Sequence, residues 1–373
     1  GIWIRALEQA VDDCSVTSSG GTQSTGAIAA DSGTYVEIGG EQGQSQSVML
    51  ACAADVVVGV GHPGETDYMS IPPLSTRAVG VASTVLVLSA PEAVTVTEVC
   101  SDGSEASIDV AGGPTGGVYR PGYESQSNGK ACIYTAGGMP FHAHALGDGD
   151  GGDSVTFLEE RLLSTSFAAS TDYEFLAFAS FAPGTCTVGG TAVSVDTCSG
   201  GVCKGRVGAG SAGTTVSCDV PVWTVLECSA TQDEQIAFGD FPSAVVTPPP
   251  PPTLERYRLF AADAADGTGS VAPTTSATEI FQNGVSLGVF EPGQVWTGAV
   301  ADFDVFVASA PIYGTVRAGG THVMVPEAFR GTDFAFGNSR RATLGIWIRA
   351  LEQAVDDCSV TSSGGTQSTG AIA

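Results

Sequence analysis

Lysine is nearly missing from this chain: only Lys130 and Lys204 occur in 373 residues. With 14 Lys plus Arg against 40 Asp plus Glu, the formal net charge is −26. A surface this acidic repels nucleic acid and anionic membranes. No run of 18 apolar residues occurs, so no helical membrane span is expected. Asparagine appears three times, as Asn128, Asn283 and Asn338, and never in an Asn-x-Ser/Thr sequon. N-glycosylation is therefore not expected, while O-glycans on Thr247, Thr253 or the stretch 15–25 remain compatible with the composition. Neither a Cys-x-x-Cys pair nor a Walker sequence is present, which argues against zinc and nucleotide phosphate sites. The sequence opens without an initiator Met or signal peptide, as expected of a window cut from a longer array.

What is present first is repetition. Residues 1–29 and 345–373 are identical, GIWIRALEQAVDDCSVTSSGGTQSTGAIA, offset by 344 positions. Self-similarity at a fixed period marks arrays and repeat architectures. A weaker repeat lies inside it. Val118–Gly122 matches Val289–Gly293, 158–167 loosely matches 325–334, and Cys186-Thr-Val matches Cys358-Ser-Val at an offset of 172. The 344-residue unit thus reads as a diverged pair of modules. Residues 1–73 form the C-terminal part of one module, completed by the preceding unit. Residues 74–246 form the other, with lobes at about 74–150 and 151–246. Residues 247–253 are a linker, 254–344 begin the first module again, and 345–373 start the next copy.

The remaining composition suits folded β-structure. Apolar residues reach 43%, with 16 Phe and 50 Gly, and charged residues are only 14%, so this is not a charge-rich disordered chain. Runs such as 83–88, 93–99, 153–158, 191–195, 214–228, 304–308 and 322–325 are β-branched or alternating, bounded by Gly, Pro, Asp and Ser. The segment 344–351 has local helix propensity, but its diverged twin 173–181 reads as strand, turn, Cys. A strand is expected in both. The predicted fold class is all-β: tandem antiparallel β-sandwich, Ig-like modules stapled by disulfides.

Ten cysteines point to an oxidising compartment, extracellular or cell-surface. Repeat logic pairs Cys186 with Cys218 and Cys14 with Cys52. Cys100 with Cys132 reads as a local staple, and Cys198 with Cys203 closes a short loop. Cys358 would pair with a Cys52 equivalent beyond this window. Cys228 is left single: free, bonded to another chain, or replacing one of the partners above. Pro248, Pro249, Pro250, Pro251 and Pro252 should hold an extended polyproline helix, a semi-rigid spacer.

Candidate sites are sparse. Asp148, Asp150 and Asp153 alternate with Gly, the pattern of a Ca2+ loop, although a solvated hairpin tip explains the same residues. No other cofactor is expected. His142-Ala-His144 puts two imidazoles on one face of a strand, half a metal site; surface histidines are the plainer expectation. Glu159-Glu160 and Asp12-Asp13 are adjacent carboxylates that a strand would point apart, so neither suits general acid/base work. Gly284-Val-Ser-Leu-Gly288 matches a nucleophile elbow, but Val289–Gly293 follows where that elbow needs a helix. Three GxGxxG matches, at 59–64, 147–152 and 208–213, open no expected helix. Trp3, Trp223 and Trp296 lie in strand-like runs and should be core. Nothing argues for an enzyme.

In repeat layout and composition the chain resembles the tandem-repeat regions of giant extracellular bacterial or algal filament, appendage and adhesin proteins. That resemblance implies a structural repeat unit whose partners are copies of itself, strung head to tail. Two other functions are compatible: a carbohydrate- or host-binding adhesin repeat, and a short subunit polymerising by terminal strand exchange.

Overall fold

The computed structural model describes residues 3–6, 14–19, 21–28, 32–39, 46–61, 68–82, 85–114, 116–121, 129–146, 154–231, 233–239, 257–261, 267–318, 320–338, 343–350, 358–362 and 364–368. The described chain is almost wholly β, in largely antiparallel sheets with disulfides between strands, consistent with an all-β sandwich fold. No described helix is long and apolar enough to cross a membrane. Strands form where β-branched runs alternate, and turns form where Gly supplies a positive φ. Asn283 (φ 51°) and Gly284 (φ 81°) make the two-residue hairpin after Thr278–Gln282.

The strands group into four lobes. The N-terminal strands β1 (Trp3–Ala6), β2 (Cys14–Ser19), β3 (Gly21–Ser24), β4 (Ser32–Gly39), β5 (Gln46–Gly61) and β6 (Tyr68–Ile71) belong to the fourth, described last. Lobe 1 contains β7 (Arg77–Ala82), β8 (Val85–Ser89), β9 (Val94–Cys100), β10 (Glu105–Val110), β11 (Val118–Pro121), β12 (Lys130–Thr135), β13 (His142–Leu146) and β14 (Ser154–Thr156). Its two sheets run β10-β9-β12-β7 and β11-β8-β13-β14. A 3-10 turn, Glu160–Leu162, leads into lobe 2. That lobe holds β15 (Ser164–Ala168), β16 (Tyr173–Ser180), β17 (Gly184–Val188), β18 (Thr191–Val195), β19 (Thr197–Ser199), β20 (Val202–Val207), β21 (Thr215–Cys228) and β22 (Glu234–Ala237).

Lobe 3 repeats lobe 1. It holds β23 (Tyr257–Phe260), β24 (Gly267–Pro273), β25 (Thr278–Gln282), β26 (Val285–Phe290), β27 (Trp296–Val300), β28 (Val305–Ala308), β29 (Ile312–Ala318), β30 (Gly320–Val323) and β31 (Val325–Pro326). The sheets run β26-β25-β28-β23-β31 and β27-β24-β29-β30, the lobe 1 order again. A second 3-10 turn, Glu327–Phe329, follows. Lobe 4 then combines β32 (Gly331–Asn338), β33 (Thr343–Ala350), β34 (Cys358–Ser362) and β35 (Gly364–Ser368) with the N-terminal strands around β5.

Lobes 2 and 4 share one plan. In each, a single long strand pairs with strands on both of its edges, and its register slips midway. The slip in β21 lies between the partners Ser217 and Val222; in β5 it lies between Ala51 and Val56. Pro221 sits at the slip in β21, where a residue without N–H cannot continue the ladder.

The structure revises several boundaries. Strands β13 and β14 pair with each other, and Leu158 bridges to Val79, so lobe 1 continues past 150 to Leu158. The Gly/Asp-rich segment 147–153 joins two paired strands; hairpin tips and interdomain linkers share that composition. In lobe 3 the counterpart strands β29 and β30 likewise pair with each other. The match between Val118–Gly122 and Val289–Gly293 is not structural. Val118 lies in β11, which pairs β8, whereas Val289 lies in β26, the topological counterpart of β10. The weaker match of 158–167 to 325–334 is structural: each is a bridge or short strand, a 3-10 turn and a strand, with Leu162 and Phe329, then Phe167 and Phe334, buried.

Nor are the modules beads held apart by a spacer. Trp223 Nε1 of lobe 2 donates to Thr156 O of lobe 1 at 2.8 Å, and Phe157 meets the Trp223 ring edge-on at 5.9 Å. Between lobes 2 and 3, Phe238 packs against Tyr313 and Phe329 at 5.3 and 5.9 Å, and Tyr313 OH donates to Ile236 O at 3.3 Å. Strands β6, β14, β22 and β30, one from each lobe, meet at the centre. They line a small cavity with Ser70, Thr156 and Gln235. An extended proline run fixes the path of a linker, not the distance between the domains it joins, when those domains can pack sideways.

Candidate assembly interface

In lobe 2, each edge segment of β21 has one partner. Cys186, Thr187 and Val188 of β17 face Cys218, Ser217 and Val216, while β15 takes the other edge of Ser217 and Val216. The C-terminal half of β21 lies between β16 and β22. In lobe 4, β32 plays the part of β15, with Asp333, Phe334 and Ala335 opposite Ala51, Leu50 and Met49 of β5. Strand β6 takes the place of β22. One edge of β5 therefore remains, and two strands claim it.

The two claimants are the two copies of the duplicated stretch. Cys14, Ser15, Val16 and Thr17 of β2 face Cys52, Ala51, Leu50 and Met49. Cys358, Ser359, Val360 and Thr361 of β34 face the same four residues in the same order. Both also pair with β35: Ser15 and Ser359 are each opposite Ser368, and Val16 and Val360 are each opposite Gln367. Upstream, β1 runs parallel to β33 with every residue beside its own copy, Trp3 by Trp347 through Ala6 by Ala350. Strand β33 is the one hydrogen-bonded to Val56–Gly61 of β5. A strand edge offers one row of N–H and C=O groups, so the site holds one copy at a time.

Three cysteines meet at this edge. Cys14 and Cys52 are buried register partners whose Sγ atoms lie 2.7 Å apart. Cys358 is the backbone register partner of the same Cys52. Three bridges among the described residues have this cross-strand form. Cys100–Cys132, Cys186–Cys218 and Cys198–Cys203 join residues directly opposite on antiparallel strands, with Cα separations of 4.0, 3.9 and 4.1 Å. Cys228 is a free thiol and is buried, within 3.5 Å of Thr171 Oγ1. It is thus enclosed in the fold, 1% exposed.

The histidine expectation needs correction. His142 and His144 do share a face, with ring centroids 5.4 Å apart, but they are 3% and 0% exposed. That face of β13 and β8 is covered by β32 of lobe 4, and Ser89 shares a 3.2 Å hydrogen bond with Ser47 of β5. His142 Nε2 and both ring nitrogens of His144 lack hydrogen-bond partners among the described residues. Burial pushes the imidazole of His142 down to about 3 and that of His144 well below the ordinary value, the second aided by repulsion from His142.

The other candidates scatter. Asp148, Asp150, Asp153 and Pro248–Pro252 lie outside the described residues, as does the side chain of Trp3. Glu98, Cys100 and Cys132 cluster closely, but both sulfurs are committed to a disulfide, so no thiolate is on offer. Glu159 pairs with Arg161, and Glu160 with Arg77 at 3.5 Å. Ser286 sits in a strand–turn–strand hairpin and donates to Glu279 on the adjacent strand. Trp223 is buried; Trp296 is partly buried, its ring 5.3 Å from that of Phe306. No protein-family model and no curated protein matches the chain.

Proposed function

We propose that this chain is a structural repeat unit of an extracellular filament, surface appendage or giant fibrous protein, assembled head to tail through β-domains. The observation that carries this reading is the duplicated 29-residue stretch, whose two copies address one edge of β5 in one register. A sequence that recurs without change and fits the same acceptor each time is a joint between units. The three disulfides suit an oxidising exterior. The charge of −26 favours solubility and discourages lateral clumping. The role is mechanical and associative: lobe cores and bridges resist unfolding while strand pairing carries the connection.

The denatured, reduced mass of the native polypeptide tests it. A mass of hundreds of kilodaltons is the expected result and would mark these residues as one unit plus the start of the next. A small monomeric native protein that enters no assembly would overturn the reading.

A further inference from the structure

The geometry points to an exchange interface on lobe 4: strands β4 and β5 of one chain receive residues 331–368 of a second copy of this chain, and Cys358 of the incoming copy bonds to Cys52. The inference names the partner and the latch of the assembly proposed above, and its biological setting rests on that reading.

The first argument is stoichiometric. Each chain carries one acceptor edge and two segments that fit it residue for residue. Identical sequence in identical register makes identical hydrogen bonds, so β-pairing itself does not favour either claimant. The choice falls to tethering. Strand β2 is joined to β5 through β3 and β4 of its own chain and so competes for the edge at every dilution. Effective concentrations for such tethers are of millimolar order, and densely packed chains reach that range.

The second argument is coverage. The C-terminal segment arrives with β32 ahead of it, and the two together grip β5 on both edges: β32 on one, β33 and β34 on the other. Residues 1–29 reach one edge alone. Opening the closed chain and re-forming the same contacts with a neighbour changes no residue pairing, the condition under which exchange of an element between copies is cheap.

The third argument is chemical. Where Cys14 is bonded to Cys52, as repeat logic pairs them, the Cys358 thiolate of the incoming copy attacks Cys52 Sγ. The Cys52–Cys358 bond forms, the Cys14–Cys52 bond breaks, and Cys14 leaves as a thiolate that takes a proton. One disulfide is consumed and one is made, so no oxidant is needed.

The test uses the full chain in light and ¹⁵N-labelled forms, mixed in equal amounts, reduced, refolded together in a glutathione buffer over a range of concentrations, alkylated and digested. Mass spectrometry then reads the Cys52–Cys358 peptide pairs. The expected result is pairs with one light and one heavy partner, rising with chain concentration and absent from Cys358→Ala. In Cys14→Ala they should be more abundant, because the tethered competitor has lost its bond. Cys100–Cys132 and Cys186–Cys218 pairs, remaining all light or all heavy, report that each chain has folded. If Cys52–Cys358 pairs are all light or all heavy at every concentration, or if Cys52 is found only with Cys14, the exchange interface is wrong. That failure alongside a giant native polypeptide would leave the structural-array reading standing; mixed pairs from a protein that is a free monomer in its native setting would sink the array and keep the interface.

Discussion

His142 and His144 are neutral rings enclosed between lobes 1 and 4, and they set a pH dependence. Their folded-state proton affinity lies below the unfolded value of 6.5, reaching about 3 for His142. Below pH 6.5 the unfolded chain therefore binds more protons than the folded one. Stability is full above that pH and falls as the pH drops towards 3, by about 1.4 kcal/mol per pH unit for each imidazole. Urea midpoints measured from pH 7.5 to pH 4 should show this slope in the wild type and a flatter one in His142→Leu/His144→Leu; equal slopes would mean that the rings are hydrated. These residues also show a limit of sequence reading. Phe-His-Ala-His-Ala alternates like a strand with one wet face, and nothing local announces that another lobe covers that face. Trp223 was legible as core from its strand-like run, but its Nε1 bond to Thr156 O depends on a neighbouring lobe. Trp223→Phe should cost about 1–3 kcal/mol, by loss of the bond and an unpaired buried carbonyl, read as a lowered denaturation midpoint.

At the scale of elements, the strands were visible because β-branched alternation and turn residues agree along most of the chain. The exception is instructive. Residues 344–351 carry helix-forming Leu, Ala and Arg, yet Thr343–Ala350 is a strand, held by β5 and β4. Tertiary pairing outweighs local propensity, and comparison with Tyr173–Ser180 was what revealed it. The lobe boundaries were less legible, since Asp and Gly mark hairpin tips and linkers alike. Cross-strand bridges contribute at this scale too. The Cys100–Cys132 loop has a sequence separation of 32, and its closure should stabilise lobe 1 by about 4 kcal/mol in the chain-entropy view. Cys100→Ala/Cys132→Ala should lower the urea midpoint accordingly without changing the far-ultraviolet circular dichroism; an unchanged midpoint would show that β9–β12 pairing alone suffices.

The described residues form four lobes in two related pairs; lobes 1 to 3 share a continuous apolar core that Val57 of lobe 4 joins. Phe329 is fully buried against Phe238 where lobes 2 and 3 meet. Phe329→Ala should cost about 3–5 kcal/mol and uncouple the pairs, so that calorimetry resolves two transitions where the wild type gives one. A single unshifted transition would show that the lobes cohere without it. The duplication itself was plain in the sequence; the edge it serves was not, because a repeat reveals what recurs and not where it docks. That edge has a consequence for inheritance. Since Cys14 and Cys358 meet Cys52 in the same register, recombination between the two identical stretches would insert or delete a whole unit and leave a seamless reading frame and an unaltered sheet. In any array built this way, polymer length becomes a quantity that a lineage can adjust by integers, with no new joint to be folded.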